Sequence, residues 1–112
     1  MKTHIMENKH LTRNLSGIRN DFGWGNGYVL LHQEHPWHGL HYDDIPVDIH
    51  GGLTFSTLVD KEMISRWGLQ PEDEGMWMIG FDTCHLGDTL SKWSKEKVQK
   101  EAERLLTQCK KL

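Results

Sequence analysis

Two short blocks concentrate groups that move protons or bind metal ions: His50-Gly51-Gly52-Leu53-Thr54 and Gly80-Phe81-Asp82-Thr83-Cys84-His85-Leu86-Gly87-Asp88. In the second, two carboxylates and an imidazole recur three residues apart, on a tight loop that follows an apolar run. A carboxylate beside a histidine fixes its tautomer and raises its basicity, which suits a general base or a metal ligand. Adding His50 gives a donor set able to hold a divalent cation with coordination positions left open. The expected metal ligands are therefore His50, Asp82, His85 and Asp88, and the expected catalytic groups are these four with Thr54. Consecutive N–H groups at Gly51 and Gly52 can form an anion-binding nest, with Thr54 on the same side to help hold a phosphate. A plainer reading stands beside this one. Gly51-Gly52 can be a hairpin turn beside a hydrogen-bonded His50, Asp82 an N-cap, Asp88 a turn residue, and His85 a buried hydrogen-bonded group. Cys84 adjoins His85, but neighbours on an extended segment point apart, which disfavours a cysteine nucleophile with that base.

A histidine-rich stretch, His35-Pro36-Trp37-His38-Gly39-Leu40-His41-Tyr42-Asp43-Asp44, is the third candidate. Four of the chain's eight histidines recur three apart at His32, His35, His38 and His41, but Pro36 and Gly39 break any regular helix through them. Trp37 and Tyr42 could stack on a planar ligand, with His38 and Asp43 as polar contacts, so the stretch is expected to act as a lid. The alternative is a solvated loop with Trp37 tucked into the core. His32 reads as strand-end surface, and His4 and His10 carry no signal.

These groups need a scaffold. Residues 1–20 are polar, with Leu11, Leu15 and Ile18 at helical spacing, and read as an N-terminal arm or short helix. Asp21 to Gly27 holds three glycines and reads as a loop; without a strand before it or a helix after it, it is no dinucleotide-binding motif. Strands are expected at Tyr28–Leu31, Ile45–Ile49, Leu53–Leu58 and Met76–Phe81, with Pro46 favouring an edge. Asp60 to Gly68 reads as a short helix capped by Asp60, with Met63, Ile64 and Trp67 inward. Gln70 to Gly75 reads as an acidic surface loop. A long C-terminal helix over residues 94–110 carries the stripe Val98, Ala102, Leu105, Leu106 and Cys109, with Ser94 as N-cap and Trp93 and Val98 spaced as a hydrophobic staple. The fold class expected is α+β: a small, mostly antiparallel sheet packed against that helix, in one domain spanning 1–112.

Composition narrows the classes of partner. A net charge of −3 with both signs interspersed argues against general nucleic-acid binding, which shows a basic face. Two cysteines make no disulfide scaffold and no zinc knuckle. A polar N-terminus and the lack of a long apolar run give the expectation of a cytoplasmic protein with no membrane partner.

Read in order, the blocks Gly27-Tyr28-Val29, His35-Pro36-x-His38-Gly39, Tyr42-Asp43, Val47-x-x-His50-Gly51-Gly52-Leu53-Thr54 and Gly80-Phe81-Asp82-x-x-His85-x-Gly87-Asp88 resemble a family of small uncharacterised phage and prophage proteins. The resemblance runs from about Gly27 to Asp88. It implies a phage setting, in the host cytoplasm, and by analogy a ligand among the nucleotide signals of antiviral defence. The expected function is a small hydrolase, a phosphoesterase acting on a nucleotide-like ligand. It would use His/Asp acid–base chemistry or a divalent metal, the one cofactor the residues point to. Two alternatives remain: a non-catalytic, homo-oligomeric protein that sequesters such a nucleotide, and a protein–protein inhibitor that uses the histidine loop. Few arginines in the blocks count against sequestration, and the Asp and His density counts for catalysis or metal.

Overall fold

The computed structural model describes residues 1–8 and 22–112. The helical spacing of Leu11, Leu15 and Ile18 lies outside the described residues. Within them the architecture is α+β, with a four-stranded antiparallel sheet. Its strands are β1 (Lys2–Glu7), β2 (Gly25–Leu31), β3 (Phe55–Leu58) and β4 (Trp77–Phe81), in spatial order β1-β2-β4-β3. Helix α1 (Lys61–Trp67) follows β3, and helix α2 (Lys95–Lys110) closes the chain.

The two central strands are apolar on both sides, and both sides are covered. Val29, Leu31, Ile79 and Phe81 pack with Val98, Ala102, Leu105 and Cys109 of α2, forming the larger core. Tyr28, Leu30 and Met78 face the other way, toward Val59, Leu69 and the half-buried Met63, Ile64 and Trp67 of α1. The period of two along a strand explains why an unbroken apolar run is needed at the centre of the sheet. The expected single covering helix is thus joined by α1 on the opposite face. Asp60 caps α1 through its carboxylate, which accepts the Met63 N–H at 2.9 Å, and Gly68 ends it in a left-handed conformation. Ser94 caps α2 in the same way through the Lys97 N–H.

Three expectations are corrected. Lys2–Glu7 is not an arm but an edge strand paired with β2, its polar residues suiting an edge only half covered. Gly25 and Gly27 do not belong to a loop: they begin β2, where the Phe81 ring lies over Gly27 and, one pair along, the Tyr28 ring lies over Gly80. Ile45–Ile49 joins no ladder, and the Val47 N–H instead donates to the Ile45 carbonyl at 3.0 Å. Ile45 and Ile49 are buried in the core against α2, and the polar groups of Asp48 bond to α2 instead of a strand. The acidic stretch after α1 is a short 3-10 turn, Pro71–Asp73, in which Asp73 is buried and paired with Lys2 at 2.8 Å.

Candidate metal and acid–base centre

Two loops deliver the candidate side chains, and each is held by groups outside it. Directly after β4, Thr83 is fully buried; its hydroxyl donates to the Gly25 carbonyl at 2.7 Å, and its own carbonyl accepts the Gly23 N–H at 2.9 Å. This ties the start of the Asp82–Asp88 loop to the start of β2. Farther along, the Asp88 N–H donates to the His85 carbonyl, and the Asp88 carboxylate accepts the His85 N–H, both at 2.9 Å.

The second loop is a turn over Ile49–Gly52, closed by the Gly52 N–H donating to the Ile49 carbonyl at 2.9 Å. Gly51 occupies its third position with φ +69°, the place where a type II turn demands a glycine. Helix α2 clamps the chain leading into this turn. Gln108 exchanges two hydrogen bonds of 2.8 Å with the main chain of Asp48, and Glu101 accepts the His50 N–H at 2.8 Å. Arg104 in turn donates to both oxygens of Glu101, at 2.9 and 3.0 Å. That guanidinium is the main reason the Glu101 carboxyl titrates below the usual range, and the His50 N–H adds to it against the cost of burial.

The loops meet at Asp88. One oxygen, Oδ1, lies 2.9 Å from His50 Nε2, and the other, Oδ2, lies 3.3 Å from His85 Nδ1. Asp82 Oδ1 is 3.2 Å from the same His85 nitrogen and also accepts the Cys84 N–H. The two imidazoles stand edge to face, with centroids 5.5 Å apart. Trp93 lies against the face of His50, with ring centroids 4.1 Å apart. Because a carboxylate only accepts, the partners select the Nε2–H form of His50 and the Nδ1–H form of His85 when the rings are neutral. Asp88 is 6% exposed. Burial alone would raise its pKa, but the hydrogen bonds from His50 and from the His85 main chain outweigh this and lower it. The centre is therefore a buried anion gripping two imidazoles that are themselves partly open to solvent, His50 at 25% and His85 at 36%.

His50, His85 and Asp88 form the group among the described residues that could hold a metal ion, each offering a donor atom within 4.8 Å of the others. Asp82 adjoins this group through His85. Gly51 is part of the same construction. A Cβ there would lie 2.4 Å from His85 Cε1, so the imidazole packs into space that only a glycine leaves.

Other expected site residues are placed elsewhere. Of the groups expected to hold a phosphate, the Gly52 N–H is spent closing its turn, and the Thr54 N–H donates to the Gly80 carbonyl. Nor is the histidine stretch a lid. Trp37 is 8% exposed and belongs to the larger core, and Tyr42 is half-buried against that core. His35 bonds the Cys109 carbonyl near the end of α2 at 2.9 Å, and its other nitrogen accepts the Trp37 N–H. His38 bonds the Gly75 carbonyl, Trp77 Nε1 donates to the Leu40 carbonyl, and the Tyr42 N–H donates to Ser56. The Asp43 side chain is exposed, and its N–H donates to His41. This stretch is a clasp between α2, β3 and β4. Sequence reasoning missed Glu101, Arg104 and Gln108, which read as ordinary polar positions of a solvated helix face. It treated Trp93 only as a helix staple.

No helix of the described residues is long and apolar enough to cross a membrane. No protein-family model, curated protein or solved structure matches the chain.

Proposed function

We propose that this chain is a small metal-dependent hydrolase of phosphoester bonds, with His50, His85 and Asp88 as metal ligands and Asp82 as the acid–base group. One observation carries the reading: a single buried carboxylate draws together two imidazole nitrogens from separate loops at coordination-like spacing. Zinc bonds of about 2.0–2.1 Å set tetrahedral ligand atoms about 3.3 Å apart. Here His50 Nε2 and Asp88 Oδ1 are 2.9 Å apart, and His85 Nδ1 and Asp88 Oδ2 are 3.3 Å apart. A divalent ion would take the lone pairs of these two nitrogens, each neutral ring carrying its proton on the other nitrogen instead; a protonated ring must first lose a proton, so uptake weakens in acid.

Three protein ligands leave a position for water, which is the arrangement of hydrolytic rather than structural zinc sites. The metal's contribution is to make that water acidic and to neutralise charge on the phosphoryl oxygens. In this reading Asp82, beside His85 and 31% exposed, takes the proton from the attacking water. As the water oxygen bonds to phosphorus, the bond to the leaving alkoxide breaks, and the proton held by Asp82 passes to that alkoxide. We take the ligand class, a small nucleotide signal, by analogy with small phage proteins. Sequestration without cleavage draws less support, since the stacking ring and the turn amide it would use are already engaged.

The test is elemental analysis of purified protein together with chromatography of a panel of cyclic and linear nucleotides. About one divalent ion per chain and cleaved product are expected, with product lost on chelation and restored by added metal. His85→Ala should abolish both. Equal metal content in the wild type and His85→Ala removes the metal centre, and intact nucleotides throughout remove the hydrolase.

A further inference from the structure

We infer that Trp93 is a positioning residue for His50, holding the imidazole plane so that Nε2 meets Asp88. The inference rests on the metal-centre reading only for its second readout. His50 occupies a turn, and the last torsion of a histidine is broad and roughly two-fold, so the turn alone leaves the ring plane free. Two neighbours remove that freedom in complementary ways. The Trp93 indole lies 4.1 Å from the His50 ring at 33°, which fixes the plane. Asp88 at 2.9 Å from Nε2 then selects between the two orientations related by a flip within that plane. Glu101 secures the backbone beneath the ring by accepting its N–H.

Trp93 is itself well anchored. Its carbonyl accepts the Trp24 N–H at 2.7 Å, its own N–H donates to the Thr89 carbonyl at 2.8 Å, and its side chain packs against the larger core. The indole therefore acts as a fixed wall between the start of α2 and the Asp82–Asp88 loop. Its face is electron-rich, and an imidazole that carries a metal ion or a second proton is electron-poor, so the contact favours that form of His50 beyond simple packing.

Trp93→Phe keeps an aromatic wall, whereas Trp93→Leu keeps bulk without a π face. The first readout is taken on metal-free protein: the NMR resonance of the His50 Nε2–H proton held by Asp88. It should persist in the wild type and Trp93→Phe and broaden into solvent exchange in Trp93→Leu. The second is zinc affinity by chelator competition, expected to fall about threefold in Trp93→Phe and about tenfold in Trp93→Leu. If Trp93→Leu melts lower but keeps the resonance and wild-type affinity, Trp93 is packing alone and the inference is overturned. If the wild type takes up no zinc, the metal-centre reading fails, while loss of the resonance in Trp93→Leu still upholds the positioning role.

Discussion

Gly51 and Gly52 provide an internal control for how the site is built. Both have positive φ, +69° and +77°, so alanine at either meets the same backbone penalty of about 1–2 kcal/mol. Their surroundings differ. A Cβ on Gly52 meets nothing within 4 Å, whereas one on Gly51 would sit 2.4, 2.7 and 2.9 Å from three atoms of the His85 ring. Gly52→Ala should therefore cost only the backbone term, a fall in melting temperature of roughly 4–8 °C, with the centre intact. Gly51→Ala must also push the imidazole off Asp82 and Asp88. Losing hydrogen bonds to charged partners adds about 1.5–3 kcal/mol, for a total of about 2.5–5 kcal/mol. Metal affinity should fall by at least about tenfold in Gly51→Ala and hold within twofold in Gly52→Ala, since a displaced ligand costs no less than a lost outer-shell partner. Urea unfolding and chelator competition on the two variants read both quantities. Equal losses of affinity would refute the argument that Gly51 exists to seat His85.

Three further expectations follow from the same geometry. Asp88 titrates below the ordinary aspartate range in the folded chain, so its stabilisation is complete above the unfolded-chain pKa and is lost as pH falls through the lowered folded value; Asp88→Asn should flatten the acid limb of the stability curve, and parallel curves would contradict this. His35→Ala removes a bond to the end of α2 and one to the Trp37 N–H, and should lower stability by about 1–3 kcal/mol in urea unfolding while leaving zinc affinity unchanged. Zinc at a hundredfold excess over its dissociation constant should stabilise the wild type by about 2.7 kcal/mol, read as a melting-temperature rise that chelation reverses and that Asp88→Ala lacks.

Much of the scaffold was legible because its signals are local. Ser94 before an apolar stripe, Asp60 three residues before Met63, and the unbroken Tyr28–Leu31 run each declare an element without reference to anything distant. β1 escaped because a half-covered edge strand carries no apolar alternation. Ile45–Ile49 misled because alternation shows which residues are buried, not whether the backbone finds a ladder partner; this segment found α2 instead.

From the chain alone came the chemistry: His50, Asp82, His85 and Asp88 are groups that transfer protons and ligate metals wherever they meet, and the spacing of three keeps the last three on one tight loop. Tertiary structure decided the rest. It brought His50 across to Asp88, turned Trp93 against that ring, and recruited Glu101 from a helix face that looked merely solvated. It also withdrew Trp37 into the core and spent the Gly52 amide on its own turn. The reason is range. Helix caps, turns and alternation act over a few residues, so residue order encodes them, whereas a hydrogen bond spanning 38 positions exists only once the sheet and α2 have packed.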